Sequence, residues 1–256
     1  MHDTGNITFL NREFRFEVDP IFAANVFYDT HDNEYDAIVL FTTFATQLTG
    51  GDFLAYYLTA ANDVTGLGYT YTLQNETFDN SEAYTREAPG NAFRGFMHMN
   101  RIGGYPDQPD APFTTHYTPL ELLGHEIGHR WLARIWLDVP GTGPYPVLLG
   151  RQFAHWSFIA HVPGSPMEGN AWEPLHVGRR WVSVAAPITY SPLDLYLMGM
   201  IPAHEVDAST LYYLDRIENL DPPADQYGNP WTVGSDPTPD VLCDAPAVPF
   251  TIDQVT

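Results

Sequence analysis

The segment TPLELLGHEIGHRWLARIWLDVPG, residues 118–141, is the feature that most restricts how this chain can fold. Thr118 offers an N-cap, Pro119 a first helical residue, and Glu121 the third position of a capping box. The DVPG that begins at Asp138 stops the pattern, so its start and stop signals predict a helix of about 19 residues. The 22 prolines and 20 glycines of the whole chain, most of them elsewhere, cut the rest into shorter pieces. One long helix set among short elements is the arrangement this implies.

Ahead of that helix, residues 7–102 read mainly as strands. FRFEV alternates Phe14, Phe16 and Val18, while DAIVLFTTF from Asp36 is a continuous apolar run suited to a buried strand. DFLAYYLTA and GYTYTL are rich in aromatic residues, and FRGFMHMNRI (residues 93–102) is the last strand candidate before GGYPDQPDAP breaks the chain. After residue 142 the sequence is irregular, with one further helix predicted in SPLDLYLMGM, where Ser191 caps, Pro192 opens and Gly199 comes near the end. Residues 221–240 read as a loop, and the closing FTIDQVT as a strand cut short at the end of the chain. The fold class expected is α+β in a single domain spanning 1–256.

The net charge of -21 comes with 11 basic residues, all of them arginine. Such an acidic surface repels nucleic acid and anionic membrane, and argues against both as partners. No run of 18 apolar residues occurs, and MHDTGNITFL lacks the basic-then-apolar pattern of a leader. The single cysteine, Cys243, excludes an internal disulfide framework and a cysteine-built zinc site. The NIT and NET sequons at Asn6 and Asn75, and an acidic turn at Asn62 and Asp63, carry no organised spacing of their own.

Chemistry enters with HEIGH. Residues four apart on a helix share a face, so the imidazoles of His125 and His129 can grip one ion. Glu126 is turned by roughly 100° from His125, where its carboxylate can reach a metal-activated water without binding the metal. Zn2+ suits this task, because it polarises a carbonyl and acidifies water, and Glu126 as general base could then pass the proton to a leaving amine. Leu122, Leu123, Ile127 and Leu132 lie beside the pair, where buried histidines and a glutamate are costly without a partner.

HEIGH on a helix after a strand-rich half resembles the zincin metallopeptidases. The resemblance implies a zincin-like fold. In such a fold a twisted mixed β-sheet is expected as an upper lobe (1–141) packed on the active-site helix, above an irregular, mostly loop and helical lower lobe (142–256), whose closing FTIDQVT reads as truncated at the C-terminus. It also implies a zinc metalloendopeptidase acting on protein or peptide, with FRGFMHMNRI as the edge strand that pairs with substrate. The match departs from two subclasses. Leu132 and Ile135 stand where metzincins need glycine and histidine, and Leu148 and Leu149 stand where thermolysin-like enzymes place a glutamate. The segments LLGRQFAHWSF, SPMEGNAW and YSPLDLYLMG are similar to a stretch of uncharacterised bacterial exported proteins that also carry HExxH. That likeness implies that the lower lobe belongs with the catalytic helix. A secreted or cell-surface protein is expected, and the cut-off FTIDQVT points to other domains of a longer chain.

A third ligand has to come from the second half. Asp138 is set aside, since at about 100° per residue it falls on the far side of the helix from His129. His161 and Glu173 lie in sequence with no organising motif. Asp194 is the first choice, an acid on a short capped helix among apolar residues, although it could equally complete a capping box with Ser191. His155 is the alternative, as a ligand, as a donor to the transition state in a catalytic role, or as a core histidine. Glu168 could be an acceptor that holds a ligand histidine in its tautomer, or a surface residue of a loop. Tyr196, Met198 and the tryptophans 131, 156, 172 and 181 could line a site or simply fill a core. Two other functions fit the same residues: a zincin-fold binding module without turnover, or a zinc hydrolase of a non-peptide substrate.

Overall fold

The structure, a computed structural model, describes residues 7–10, 16–46, 54–62, 77–114 and 116–255. The GYTYTL strand, Phe14, Asp63 and both sequon asparagines lie outside them. The fold is mixed α+β, with small sheets and few helices. The chain forms two compact units and passes from the first to the second at Arg130–Trp131.

In the first unit, β1 (Thr8–Leu10) pairs with β2 (Phe16–Val18) and leads into α1 (Pro20–Tyr28). Then come β3 (Ala37–Thr42), β4 (Tyr56–Thr59), β5 (Ala61–Asn62), β6 (Phe78–Asp79), α2 (Ser81–Thr85), β7 (Gly95–Arg101) and α3 (Pro119–Gly128). The helix α1 was not foreseen among the strands, though its start is built like that of α3. The Asp19 side chain accepts from the Phe22 N–H at 2.9 Å, and proline follows the cap.

The main sheet has the order β3-β7-β4, with β3 parallel and β4 antiparallel to β7, so it is mixed as expected. The expected edge strand is nevertheless corrected: β7 is hydrogen-bonded on both sides, and residues 95–99 are all buried. Conversely, β3 is no fully buried strand. It lies at the end of the described strand order, and Val39 and Phe41 are 42% and 39% exposed. Side chains alternate along β7. Phe96 joins a cluster with Val18, Ala23, Ala24 and Phe93, whereas Met99 packs with Ala55 and with Leu122 of α3. The sheet therefore carries α1 on one face and α3 on the other.

The helix α3 is shorter than the sequence signals predict. It ends at Gly128, with His129 as its C-cap, and the last bonds tighten to the i→i+3 type. Tertiary burial overrides the helical pattern beyond that point. Leu132, Ala133, Ile135 and Leu137 all enter the second unit's core, and Ala133 takes a left-handed backbone (φ 52°). Asp138 is consequently on a strand and not on the helix at all.

The second unit is richer in strands than the expected loop and helical lobe. It contains a hairpin of β8 (Leu137–Val139) with β9 (Gly143–Tyr145) and a four-stranded sheet. That sheet has the order β10-β11-β14-β13, built from β10 (Trp172–Pro174), β11 (Arg180–Ser183), β13 (Glu218–Asp221) and β14 (Leu242–Asp244). A second ribbon pairs β12 (Tyr212–Leu214) with β15 (Ala247–Pro249). The helix α4 (Pro192–Leu197) forms as predicted, capped by Ser191 and followed by Gly199 at φ 73°. The strand expected at FTIDQVT is instead a 3-10 turn at Ile252–Gln254, which Gln254 closes by accepting the Thr251 N–H at 3.0 Å. Residues 222–240 carry no regular element beyond an isolated bridge between Ala224 and Pro230. No described helix is long and apolar enough to cross a membrane.

Candidate metal centre

The first two histidines owe their placement to the start of α3. Thr118 accepts the Glu121 N–H at 3.2 Å, Glu121 returns a carboxylate oxygen to the Thr118 N–H at 2.8 Å, and Pro119 fixes the first turn. His125 then falls in the last turn and His129 at the C-cap, with ring centroids 4.9 Å apart and planes nearly perpendicular. A cation is favoured at this end of a helix, where the backbone dipole is negative. The Tyr117 hydroxyl lies 3.3 Å from His125 Nδ1 and fixes the plane of that ring. Tyr117 is itself tied down, because its N–H donates to Thr114 Oγ1 at 2.8 Å. Glu126 is buried between the two histidines in sequence. Its charge, after burial itself, helps push the Tyr105 phenol up to about 12.

The third histidine, His155, lies outside α3. A tight loop carries it: the Gly150 N–H donates to His155 O at 2.8 Å, Ser157 N–H to Leu148 O at 2.8 Å, and Trp156 N–H to Met167 O at 2.9 Å. A side chain at Gly150 would put Cβ 2.6 Å from Trp156 O and 2.7 Å from Val233 O, so the turn needs glycine. Gln152 and Phe153 both take left-handed backbone at φ 58° and 53°. Strain of this kind persists only where surrounding contacts over-determine the conformation. His155 is 3% exposed, and its Nδ1 sits 2.9 Å from the Arg151 carbonyl oxygen.

His125, His129 and His155 are all buried, and each offers one ring nitrogen such that the three lie within 4.8 Å of one another. Three imidazoles at this separation can hold one metal ion, and the donor set suits Zn2+ among others. Among the described residues the group that could hold a metal ion contains His155 and does not contain Asp194. Asp194 is a buried cap. Its Oδ2 accepts the Ser191 N–H at 2.8 Å, its Oδ1 accepts the Trp156 indole N–H at 3.0 Å, and its own N–H donates to Ser191 Oγ at 3.1 Å. Burial raises its pKa to about 6 against the lowering effect of those hydrogen bonds, and with both oxygens engaged the acid is committed to structure.

The other candidates also resolve. Glu168 is no surface residue: it is 7% exposed, on left-handed backbone at φ 66°, and paired through both oxygens with Arg151. The backbone oxygen of Arg151, not Glu168, is the acceptor at His155 Nδ1. His161 accepts the Trp172 N–H at 3.0 Å and stacks on Tyr212, and burial lowers its pKa to about 4. Glu173 is exposed on β10. Tyr196 and Met198 pack against the second unit's core, while Trp156 and Trp172 are fully buried in it. Tyr117 and Arg151 were not singled out in the sequence. Arg151 does stand four residues before His155, but no motif marks either residue.

Comparison with known proteins returned nothing: no family model, no curated protein and no solved structure matches this chain.

Proposed function

We propose that the protein is a zinc-dependent peptidase in which His125, His129 and His155 hold the metal and Glu126 is the general base. The observation that carries this reading is the convergence of three buried histidine nitrogens within 4.8 Å, two of them from a helix that bears a buried glutamate between them. Zinc held there supplies Lewis acidity to a carbonyl and lets water ionise near neutral pH. The rest falls to the chain. Glu126 takes the proton from the attacking water and delivers it to the leaving nitrogen, so that peptide hydrolysis is balanced without any other cofactor. Tyr117 and the Arg151 carbonyl keep two of the imidazoles oriented. Asp194 is a positioning residue, acting through Trp156 on the loop that presents His155.

The test is metal analysis of the purified protein, alone and as His155→Ala and Asp194→Ala variants, together with hydrolysis of an unstructured protein such as casein. About one zinc per chain, lost from His155→Ala and kept in Asp194→Ala, is the expected result. Protein that retains no zinc after dialysis without chelator would refute the reading.

A further inference from the structure

We propose that Arg151 is an internal competitor for the metal site: its guanidinium occupies the lone pair of His155 that a metal ion requires, and metal uptake has to displace it. The proposal rests on the reading of His155 as a ligand and concerns how that ligand is regulated.

The argument is one of hydrogen-bond accounting. A carbonyl oxygen can only accept, so the 2.9 Å contact between His155 Nδ1 and Arg151 O puts the ring proton on Nδ1. The lone pair of the neutral imidazole is then on Nε2. Arg151 Nη2 lies 3.3 Å from that Nε2, and a guanidinium can only donate. One residue therefore holds both nitrogens of His155, one through its backbone and the other through its side chain. The lone pair that accepts from Arg151 is the one that would bind a cation, so the two interactions exclude each other.

Glu168 makes the competitor effective. Its Oε2 accepts from Arg151 Nε at 3.3 Å, and its Oε1 accepts from Nη2, a two-point pairing that aims the guanidinium at the imidazole. Glu168 Oε1 is itself 3.7 Å from His155 Nε2. The Arg151 side chain is 39% exposed whereas Glu168 is buried, which lets the arginine swing outward without uncovering its anchor.

The experiment measures zinc affinity by competition with a chromophoric chelator for the unsubstituted protein, Arg151→Gln and Arg151→Lys, each checked by circular dichroism. Loss of a charge-assisted donor from the ligand nitrogen is expected to tighten binding about tenfold in Arg151→Gln. Arg151→Lys keeps the charge but loses the two-point pairing, and should fall between the two. In the metal-free protein, the 15N resonance of His155 Nε2 should move in Arg151→Gln while that of Nδ1 stays in place. Zinc binding by Arg151→Gln no tighter than that of the unsubstituted protein, or an unmoved Nε2 resonance, overturns this proposal alone. Arg151→Lys equal to the unsubstituted protein would make charge the whole effect and overturn it as well. Failure of the unsubstituted protein to bind zinc overturns the metal reading, and this proposal with it.

Discussion

The indole N–H of Trp156 donates to Oδ1 of Asp194 at 3.0 Å, between two side chains that are almost wholly excluded from solvent. Trp156 is the residue after His155, so this bond couples the cap of α4 to the loop that carries the third histidine. Asparagine at 194 would offer one acceptor oxygen where the site uses two, and would turn an amide NH2 against a donor. Asp194→Asn is expected to cost about 1–3 kcal/mol in urea unfolding while zinc stoichiometry stays near one. If the variant loses zinc as fully as His155→Ala does and unfolds at the same urea concentration as the parent, Asp194 is a ligand after all.

Glu126 allows the metal and the chemistry to be separated. Glu126→Gln preserves shape and leaves all three histidines in place, yet cannot take a proton. Zinc content measured by mass spectrometry is expected to be unchanged, with hydrolysis reduced by about 10²–10⁴. Activity within a factor of two of the parent would remove Glu126 from the role of base.

What the sequence made legible was local. Cap, proline and acid at 118–121 and again at 191–194 mark two helix starts, because those signals act within one turn and need no partner elsewhere. The same cap and proline at Asp19–Pro20 went unused, since the surrounding aromatic residues read as strand. Strand order was not legible. The apolar run of β3 suits a buried strand, but hydrogen-bonding on both sides fell to β7 with its His98 and Asn100, and pairing is decided by distant chain. The choice between the two readings of Asp194 was not legible for a related reason: a capping acid and a ligand acid look alike until the Trp156 indole is seen to fill the second oxygen.

Gly150 offers a test of the loop itself. An added methyl would meet two backbone oxygens at 2.6 and 2.7 Å, and neither belongs to a flexible side-chain end. Gly150→Ala is therefore expected to destabilise the protein by roughly 1–3 kcal/mol, through displacement of Trp156 or Val233. It should also weaken zinc binding, since His155 precedes Trp156. A variant that matches the parent in both thermal unfolding and zinc affinity would show that the loop relaxes without moving the histidine.

His98 gives the acid limb of stability. It is 1% exposed on β7, neither ring nitrogen has a hydrogen-bond partner among the described residues, and burial lowers its pKa from 6.5 to about 4. The fold therefore holds the imidazole neutral, whereas the unfolded chain gains a proton near pH 6.5. A group whose native pKa is depressed contributes fully above its unfolded value and loses that contribution as pH falls towards its native one. Between pH 6.5 and 4 this single residue should cost on the order of 2–3 kcal/mol of stability. His98→Leu removes both the titration and two buried polar atoms without partners, so it is expected to be neutral or stabilising at pH 7. The difference between variant and parent in urea unfolding should then widen steadily from pH 6.5 to pH 4. A difference that stays constant across that range would mean that His98 is protonated in the folded state, or reaches solvent, and the account of its burial would fail.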